Sequence, residues 1–206
     1  MRNSIEDVLL QCWKCANDSA ERHLGRYDPW TMGTTIDLCH MRLKDDRTVE
    51  LALRDLLLEC EMIPVELKPD ISRAKILFDL GICLANQGRY AEEEPVALEL
   101  TTLGRETGKK VVELRGAVLA ATVQAKLGKS ILAEASLRRS IVLVDTMTGM
   151  GPKSPWAIQQ LGRLEALLRA EGRDEDADIV KAEETFRLKQ HDIDEDFEGV
   201  VDANSN

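Results

Sequence analysis

The feature that most constrains the fold of this chain is a turn that recurs at a nearly constant interval. Each copy joins a turn-forming residue to a basic residue, at Asp46-Arg47, Gly88-Arg89, Gly128-Lys129 and Gly172-Arg173. Successive copies are 42, 40 and 44 residues apart, an average of 42. A Pro-Trp pair at Pro29-Trp30 returns at Pro155-Trp156, which is 126 residues, or three such periods, later. Two landmarks that share one period indicate a structural repeat.

The repeat unit is predicted to be a hairpin of two α-helices. In the stretch Ile71–Leu100, an apolar stripe with helical spacing runs into the turn at Gly88, and a second helix-forming segment follows. The same pattern predicts an extra helix over 4–22 and hairpins over 29–62, 70–107, 110–147 and 155–189. One hairpin cannot bury its own apolar face, so neighbouring hairpins are expected to stack.

The acidic composition of the chain argues against several classes of partner. The net charge is −10, whereas nucleic acid and anionic membrane surfaces attract clustered Lys and Arg. No apolar run reaches the length of a membrane span, and Glu6 and Asp7 do not suit a signal peptide. We therefore expect no nucleic acid and no membrane among the partners, and a cytoplasmic location with the nucleus as the alternative. Residues 191–206 are acidic with few apolar side chains, which predicts a disordered tail.

Residues around the turns extend the repeat into a recognisable pattern. In the second hairpin they are Leu80-Gly81, Leu84, Gly88-Arg89-Tyr90 and Glu94-Pro95. In the third and fourth they are Ala121, Gly128, Ala133–Arg139, Leu164, Leu168, Gly172-Arg173 and Ala177. Together with the loop from Leu24-Gly25 to Pro29-Trp30-Thr31, these residues resemble the 42-residue tetratricopeptide (TPR) repeats of kinesin light chains. The resemblance covers about residues 5–189.

This resemblance implies an all-α fold, a right-handed TPR-like α-solenoid of antiparallel helix hairpins whose first helices line a concave groove. The chain departs from the family pattern at three positions. Asp46 stands where glycine is usual, Glu93 where a small residue lets two helices touch, and Gln124 where an aromatic is usual. By the alignment Glu93 faces inward, so we expect it to pair with a base or to reach water at an edge.

The groove is the candidate partner-binding site. The repeat places Asp79 and seven candidate contact residues on the inner helices, namely Lys75, Asn86, Arg115, Lys126, Gln159, Arg163 and Arg169. Most are basic in an acidic chain, which suits an acidic or C-terminal peptide. The alternative is that Lys and Arg are simply good surface residues of helices. We expect a non-enzymatic protein–protein interaction or scaffold module.

The helix over 4–22 has an apolar stripe widened by Leu10 and Trp13, so it calls for neighbours on two sides. Three interpretations stay open: the helix is a cap, it belongs to a hairpin whose first helix lies outside this chain, or Leu10 and Trp13 contact a partner chain. The last interpretation includes a homodimer, or the assembly domain of a larger sensor-type protein.

Catalytic and metal-binding patterns are weak. Cys12, Cys15, Cys39 and His40 include spacing suited to zinc, but mid-helix cysteines cannot form the tight ligand turn. Cysteines without a secretion signal fit reduced, buried thiols, and the five cysteines here lie mostly on apolar faces. His40 follows Asp37 by one helical turn, which keeps a general base as a third hypothesis. We expect no cofactor, no metal and no catalytic residue.

Overall fold

The computed structural model of the chain describes residues 5–26, 28–42, 45–63 and 70–203. Within these ranges it describes all side chains except those of 5–9, 13, 29, 41–42, 70–71 and 192–203. Every regular element in these residues is an α-helix, which confirms the all-α prediction there. The helices are α1 (Ile5–Leu24), α2 (Pro29–Arg42), α3 (Asp46–Met62), α4 (Asp70–Asn86), α5 (Tyr90–Glu106), α6 (Lys110–Lys126), α7 (Ser130–Asp145), α8 (Pro155–Ala170) and α9 (Asp174–Ala203).

The chain divides into two compact units, an N-terminal unit (Met1–Val112) and a C-terminal unit (Glu113–Asn206). In each unit a core joins helices of consecutive hairpins. Buried side chains of α2, α3 and α4, such as Ile36, Leu53 and Leu80, form one core. Side chains of α6 to α9, such as Ala121 and Leu164, form another. Within each unit, a hairpin therefore buries its apolar face against the next one.

The outer bounds of the extra helix and of the hairpins lie within two residues of those predicted, with one exception. Helix α9 was expected to end near residue 189, but it continues to Ala203 and covers most of the segment expected to be disordered. Residues 174–203 contain no proline and one glycine, so nothing in the backbone chemistry stops the helix. Residues 43–44 of the first turn and the predicted linker 64–69 lie outside the described residues.

The three glycine turns have the same geometry. Gly88, Gly128 and Gly172 have φ angles of +70°, +71° and +73°. Each donates its N–H to the carbonyl three residues earlier, at 2.9, 3.1 and 3.0 Å. The residue after each glycine donates to the carbonyl five residues earlier, at 3.0, 2.8 and 3.0 Å. This is the left-handed helix end that glycine favours, so the turns that define the repeat are structurally equivalent.

Replacing Gly128 by alanine is expected to lower the free energy of unfolding by about 1 kcal/mol, because the Cβ of alanine crowds the backbone at a positive φ. No heavy atom lies within 4 Å of the added Cβ, so a steric clash would not contribute. Gly33, inside α2 with an equally open Cβ position, is the matched control. There alanine should raise stability by about 0.5–1 kcal/mol. Urea unfolding of both variants tests the pair; a loss at neither or at both would contradict it.

A cluster of ion pairs links the turn at Gly88 to the preceding hairpin. Glu50 of α3 accepts hydrogen bonds from Arg54 Nε at 2.8 Å, Gln87 Nε2 at 3.0 Å and Arg89 Nη1 at 2.5 Å. Arg89 Nη2 also lies 2.6 Å from a carboxylate oxygen of Glu92. The turn arginine thus ties the start of α5 to the second helix of the hairpin before it.

The same cluster recurs 84 residues, or two periods, later. Glu134 of α7 accepts from Arg138 Nε at 2.9 Å and from Arg173 Nη1 at 2.5 Å, and Arg173 Nη2 lies 2.7 Å from Asp176. Each of these four residues is 84 positions beyond its counterpart. We call Glu50, Arg54, Arg89 and Glu92, and their four counterparts, the turn-arginine clusters. Side-chain contacts, and not only helices, therefore follow the repeat.

A second repeated contact holds the two helices of a hairpin together, with its charges reversed from one hairpin to the next. Arg73 of α4 pairs with Glu99 of α5 at 2.6 Å. Forty residues later in each case, Glu113 of α6 pairs with Arg139 of α7 at 2.7 Å. Equivalent positions thus carry a cation in one hairpin and an anion in the next.

None of the helices in the described ranges combines the length and the apolar character that crossing a bilayer requires.

Candidate functional site

The exposed stripe of α8 carries three polar or aromatic side chains. Trp156, Gln159 and Arg163 are exposed and spaced three and four residues apart, so they lie on one side of the helix. The opposite side, which includes Leu161 and Leu164, is buried in the core of the C-terminal unit. The stripe therefore presents an indole, an amide and a guanidinium to solvent.

Helix α6 presents a comparable stripe in the same unit. Arg115 and Lys126 are exposed and lie three helical turns apart, so they share one side of α6. Helices α6 and α8 share a core, in which Ala121 joins the α8 leucines. The repeat aligns Arg115 with Gln159, because the turns of the two hairpins are 44 residues apart. The two stripes thus occupy equivalent positions on consecutive first helices.

Each of these two stripes carries one cation, Lys126 on α6 and Arg163 on α8, without a compensating carboxylate among the described residues. The carboxylates of α6 and α8 are Glu113, which is buried against Arg139, and Glu165, which binds Arg169. Lys126 and Arg163 make no ion pair with any described residue. We call Arg115, Lys126, Trp156, Gln159 and Arg163 the cationic face of the C-terminal unit. It can attract carboxylates, donate hydrogen bonds and offer one aromatic contact.

The corresponding stripe of the N-terminal unit is neutralised by its own side chains. Lys75 Nζ lies 2.9 Å from Asp37 Oδ1 and 3.4 Å from Asp79 Oδ2. Burial opposes the charge of Lys75, but the two carboxylates outweigh it and raise the pKa of the ammonium group. Asp79 also lies 3.5 Å from His40 Nε2. The positive charge of Lys75 is therefore already shared by two acids of the same unit.

Two further candidate contact residues are held within the chain. Asn86 is exposed but donates to Asp46 Oδ1 at 3.2 Å. Arg169 binds Glu165 and, at 2.8 Å, Asp178, and the hydrogen bonds that it donates to these two acids raise the pKa of its guanidinium. Its charge is thus directed toward α9. Of the seven candidates, Arg115, Lys126, Gln159 and Arg163 are exposed on α6 and α8, while Lys75, Asn86 and Arg169 are bound by carboxylates of the chain.

Trp156 is a candidate contact residue that the sequence argument did not name. It is 48% exposed at the start of α8, where the Ser154 side chain caps the helix by accepting from the Ala157 N–H. Its position is 126 residues after Trp30, which is also exposed. The sequence signal for this residue is the Pro-Trp pair, which recurs after three periods.

The residues of the alternative hypotheses have less defined surroundings. Leu10 is half-buried in α1, and the Trp13 side chain lies outside the described residues. His40 is partly exposed, and its carboxylate neighbour is Asp79 rather than Asp37. Among the described residues, no group of three or more His, Cys, Asp and Glu side chains is arranged to hold a metal ion.

The expectation of buried cysteines is wrong for two of the five. Cys60 and Cys83 are buried and Cys39 is half-buried, but Cys12 and Cys15 are exposed on α1. The apolar stripe of α1 is wide, and only part of its width has a neighbour within the described residues. Burial of Cys83 raises the pKa of its thiol to about 11, which keeps it protonated.

The expectation for Glu93 is also wrong. Its side chain is 1% exposed, and neither carboxylate oxygen has a hydrogen-bond partner among the described residues. Burial raises the pKa of this carboxyl group to about 7. The alignment correctly turned Glu93 inward, but its carboxylate neither pairs with a base among the described residues nor reaches the surface.

A small polar cavity lies between α1, α2 and α3. Its volume is about 150 Å³, and its lining includes Asn17, Thr31 and the ion pair of Arg26 with Glu59. The buried Thr31 hydroxyl has no hydrogen-bond partner among the described residues. Because a water takes up about 30 Å³ in the liquid, the cavity suits a few waters that satisfy Thr31 and is too small for a peptide.

In comparisons with protein-family models and with curated proteins, no match to this chain was found. What bears on its function is therefore the geometry and charge of the chain itself.

Proposed function

We propose that this protein is a right-handed TPR-like α-solenoid that acts as a non-enzymatic interaction module. Its ligand is an acidic segment of a partner protein, bound along the cationic face of the C-terminal unit. Three equivalent glycine turns and cores that join consecutive hairpins support the solenoid, since stacked hairpins of one period form superhelices. The binding role is supported by the charge of one face.

The observation that carries the proposal is the pair of exposed cations, Lys126 and Arg163, that have no carboxylate partner among the described residues. The chain as a whole carries a charge of −10, and most other arginines on its surface are bound by neighbouring acids. Cations left uncompensated in an acidic chain create a local positive potential that steers anionic ligands. The lack of acidic partners distinguishes Lys126 and Arg163 from the other Lys and Arg of the surface.

The face also supplies contacts other than charge. The Gln159 amide can hydrogen-bond to the backbone of an extended peptide, and the exposed Trp156 ring offers an apolar surface. Because Lys75 is neutralised by Asp37 and Asp79, the N-terminal unit contributes little attraction for anions. The ligand that fits is therefore a short acidic segment with an apolar side chain next to its carboxylates.

The double variant Lys126→Glu/Arg163→Glu is expected to bind a labelled Asp/Glu-rich peptide at least about 10-fold more weakly than the natural chain, a loss of about 1.4 kcal/mol. Fluorescence anisotropy at low and at physiological salt measures the affinity, which should fall with salt in the natural chain. The unfolding midpoint of the variant should change by no more than is usual for surface substitutions.

The matched control is Lys14→Glu/Arg105→Glu, which changes the net charge equally at exposed positions outside the cationic face. It should retain most of the affinity. Equal losses in both double variants would show that net charge alone attracts the peptide. No loss in the first variant would overturn the assigned face.

A further inference from the structure

The chain carries a segment with the charge that the cationic face would bind. Residues 191–206 include six Asp and Glu and no Lys or Arg. The rest of the C-terminal unit, residues 113–190, has 12 Lys and Arg against 11 Asp and Glu. The net negative charge of the unit thus comes from residues 191–206, because acids and bases nearly balance in the residues before them.

The position of this segment is set by α9. Helix α9 follows the Gly172 turn and packs on α8, with Ala177 and Val180 in the shared core. Near its middle, Arg187 binds Asp145 at 2.7 Å and the Pro152 carbonyl at 3.3 Å. Pro152 lies three residues before the start of α8, so α9 has already reached the start of that helix at Arg187.

Helix α9 continues from there to Ala203. At 1.5 Å per residue, the part beyond Arg187 extends roughly 24 Å past the start of α8. Arg163 lies about two turns after the start of α8, on the side of that start away from the end of α9. A continuous helix cannot turn back by that distance, so residues 191–203 of the acidic segment do not reach the cationic face of their own copy.

We propose that residues 191–206 of one copy bind the cationic face of a second copy. This inference rests on the proposed function, because it names the chain's own acidic segment as one ligand of that site. Two copies can exchange segments reciprocally, which gives a closed two-fold dimer. An external acidic partner then competes with the segment, so dimerisation and partner binding exclude each other.

The test uses the full chain with four segment charges removed, Asp194→Asn, Glu195→Gln, Asp196→Asn and Glu198→Gln. Sedimentation velocity at 50 mM salt is expected to show a dimer for the natural chain and a monomer for this segment variant. The dimer should dissociate as the salt is raised to about 500 mM, because the contact is electrostatic. The Lys126→Glu/Arg163→Glu variant should also be a monomer, and mixing the two variants should restore a dimer.

The matched control removes the same number of charges from exposed acids of the N-terminal unit, with Asp18→Asn, Asp55→Asn, Glu61→Gln and Glu106→Gln. It should remain a dimer. In addition, the segment variant should bind the labelled Asp/Glu-rich peptide at least 5-fold more tightly than the natural chain, since the competitor is gone. A labelled peptide of residues 191–206 should bind the segment variant and fail to bind the Lys126→Glu/Arg163→Glu variant.

The outcomes separate this inference from the proposed function. In one outcome the labelled Asp/Glu-rich peptide binds the cationic face, but the natural chain and the segment variant sediment identically and bind the peptide with equal affinity. The proposed contact between copies is then wrong, and the proposed function stands. If neither peptide binds at any salt concentration, both proposals are wrong. If the segment variant remains a dimer, the two copies associate elsewhere and the inference is overturned.

Discussion

Replacing Glu93 by glutamine is expected to raise the free energy of unfolding by about 3 kcal/mol at pH 8 and by little at pH 4. The carboxyl group has a pKa of about 7 in the folded chain, compared with an ordinary value of 4.5. The pKa is raised because the group is buried and has no hydrogen-bond partner among the described residues. Glutamine keeps the shape of the protonated side chain and has no charge to bury.

The direction of the pH effect follows from the two pKa values. Below pH 4.5 the carboxyl is protonated in both the folded and the unfolded chain, so it does not make stability depend on pH. Between about 4.5 and 7 the unfolded chain releases this proton while the folded chain retains it, which lowers stability as the pH rises. Above about 7 both states are ionised, and the loss has reached its full size.

Urea unfolding of the natural chain and of Glu93→Gln at pH 4, 5, 6, 7 and 8 measures the difference. The difference is the informative quantity, because other carboxylates, such as Glu50 with its lowered pKa, give both proteins a common pH dependence. For Glu106→Gln, at an exposed position of the same helix, the difference in unfolding free energy from the natural chain should not grow as the pH rises. If the difference in unfolding free energy between the two proteins did not change with pH, the pKa of Glu93 would not be raised in the folded chain.

Replacing Arg89 by alanine is expected to lower the free energy of unfolding by about 2 kcal/mol. Glu50, whose side chain is 5% exposed, would lose a charged donor and keep only Arg54 and Gln87. Removing one partner of a buried ion pair leaves a carboxylate that has lost its solvent without full compensation.

The counterpart Arg173→Ala should cost less, about 1 kcal/mol, because Glu134 is 17% exposed and water can replace part of the contact. Arg105→Ala, at an exposed position of α5, is the control and should stay within about 0.5 kcal/mol. A double-mutant cycle of Arg89 with Glu50 gives the coupling energy directly. A coupling near zero would show that the turn-arginine cluster is incidental.

The fold was largely predictable because its signals are local. A positive φ calls for glycine within the turn itself, so Gly88, Gly128 and Gly172 mark helix ends without knowledge of the tertiary structure. Helix bounds follow from apolar spacing and from caps such as Ser154. The end of α9 was not predictable from composition, because an acidic segment with few apolar residues favours disorder, whereas residues 190–203 contain no proline and a single glycine to interrupt the helix.

The candidate site was less predictable, because charge compensation depends on which side chains face each other across helices. The period placed Lys75 on an inner helix, but its neutralisation requires Asp37 of α2 to lie 2.9 Å away. Periodicity carries no such distance. Lys126 and Arg163 look the same as Lys75 in sequence, and only the packed helices show that neither has an acidic partner in the part of the chain that the structure describes.

The alternating polarity of the pairs Arg73–Glu99 and Glu113–Arg139 also bears on how the chain reaches its native state. Repeats with similar hairpins risk exchanging helices between neighbours, because each helix has a near-equivalent competitor. If α4 combined with α7, two guanidinium groups would meet; if α6 combined with α5, two carboxylates would meet. Reversing the sign from one hairpin to the next therefore penalises such mistaken partnerships and favours the order in which the helices are synthesised.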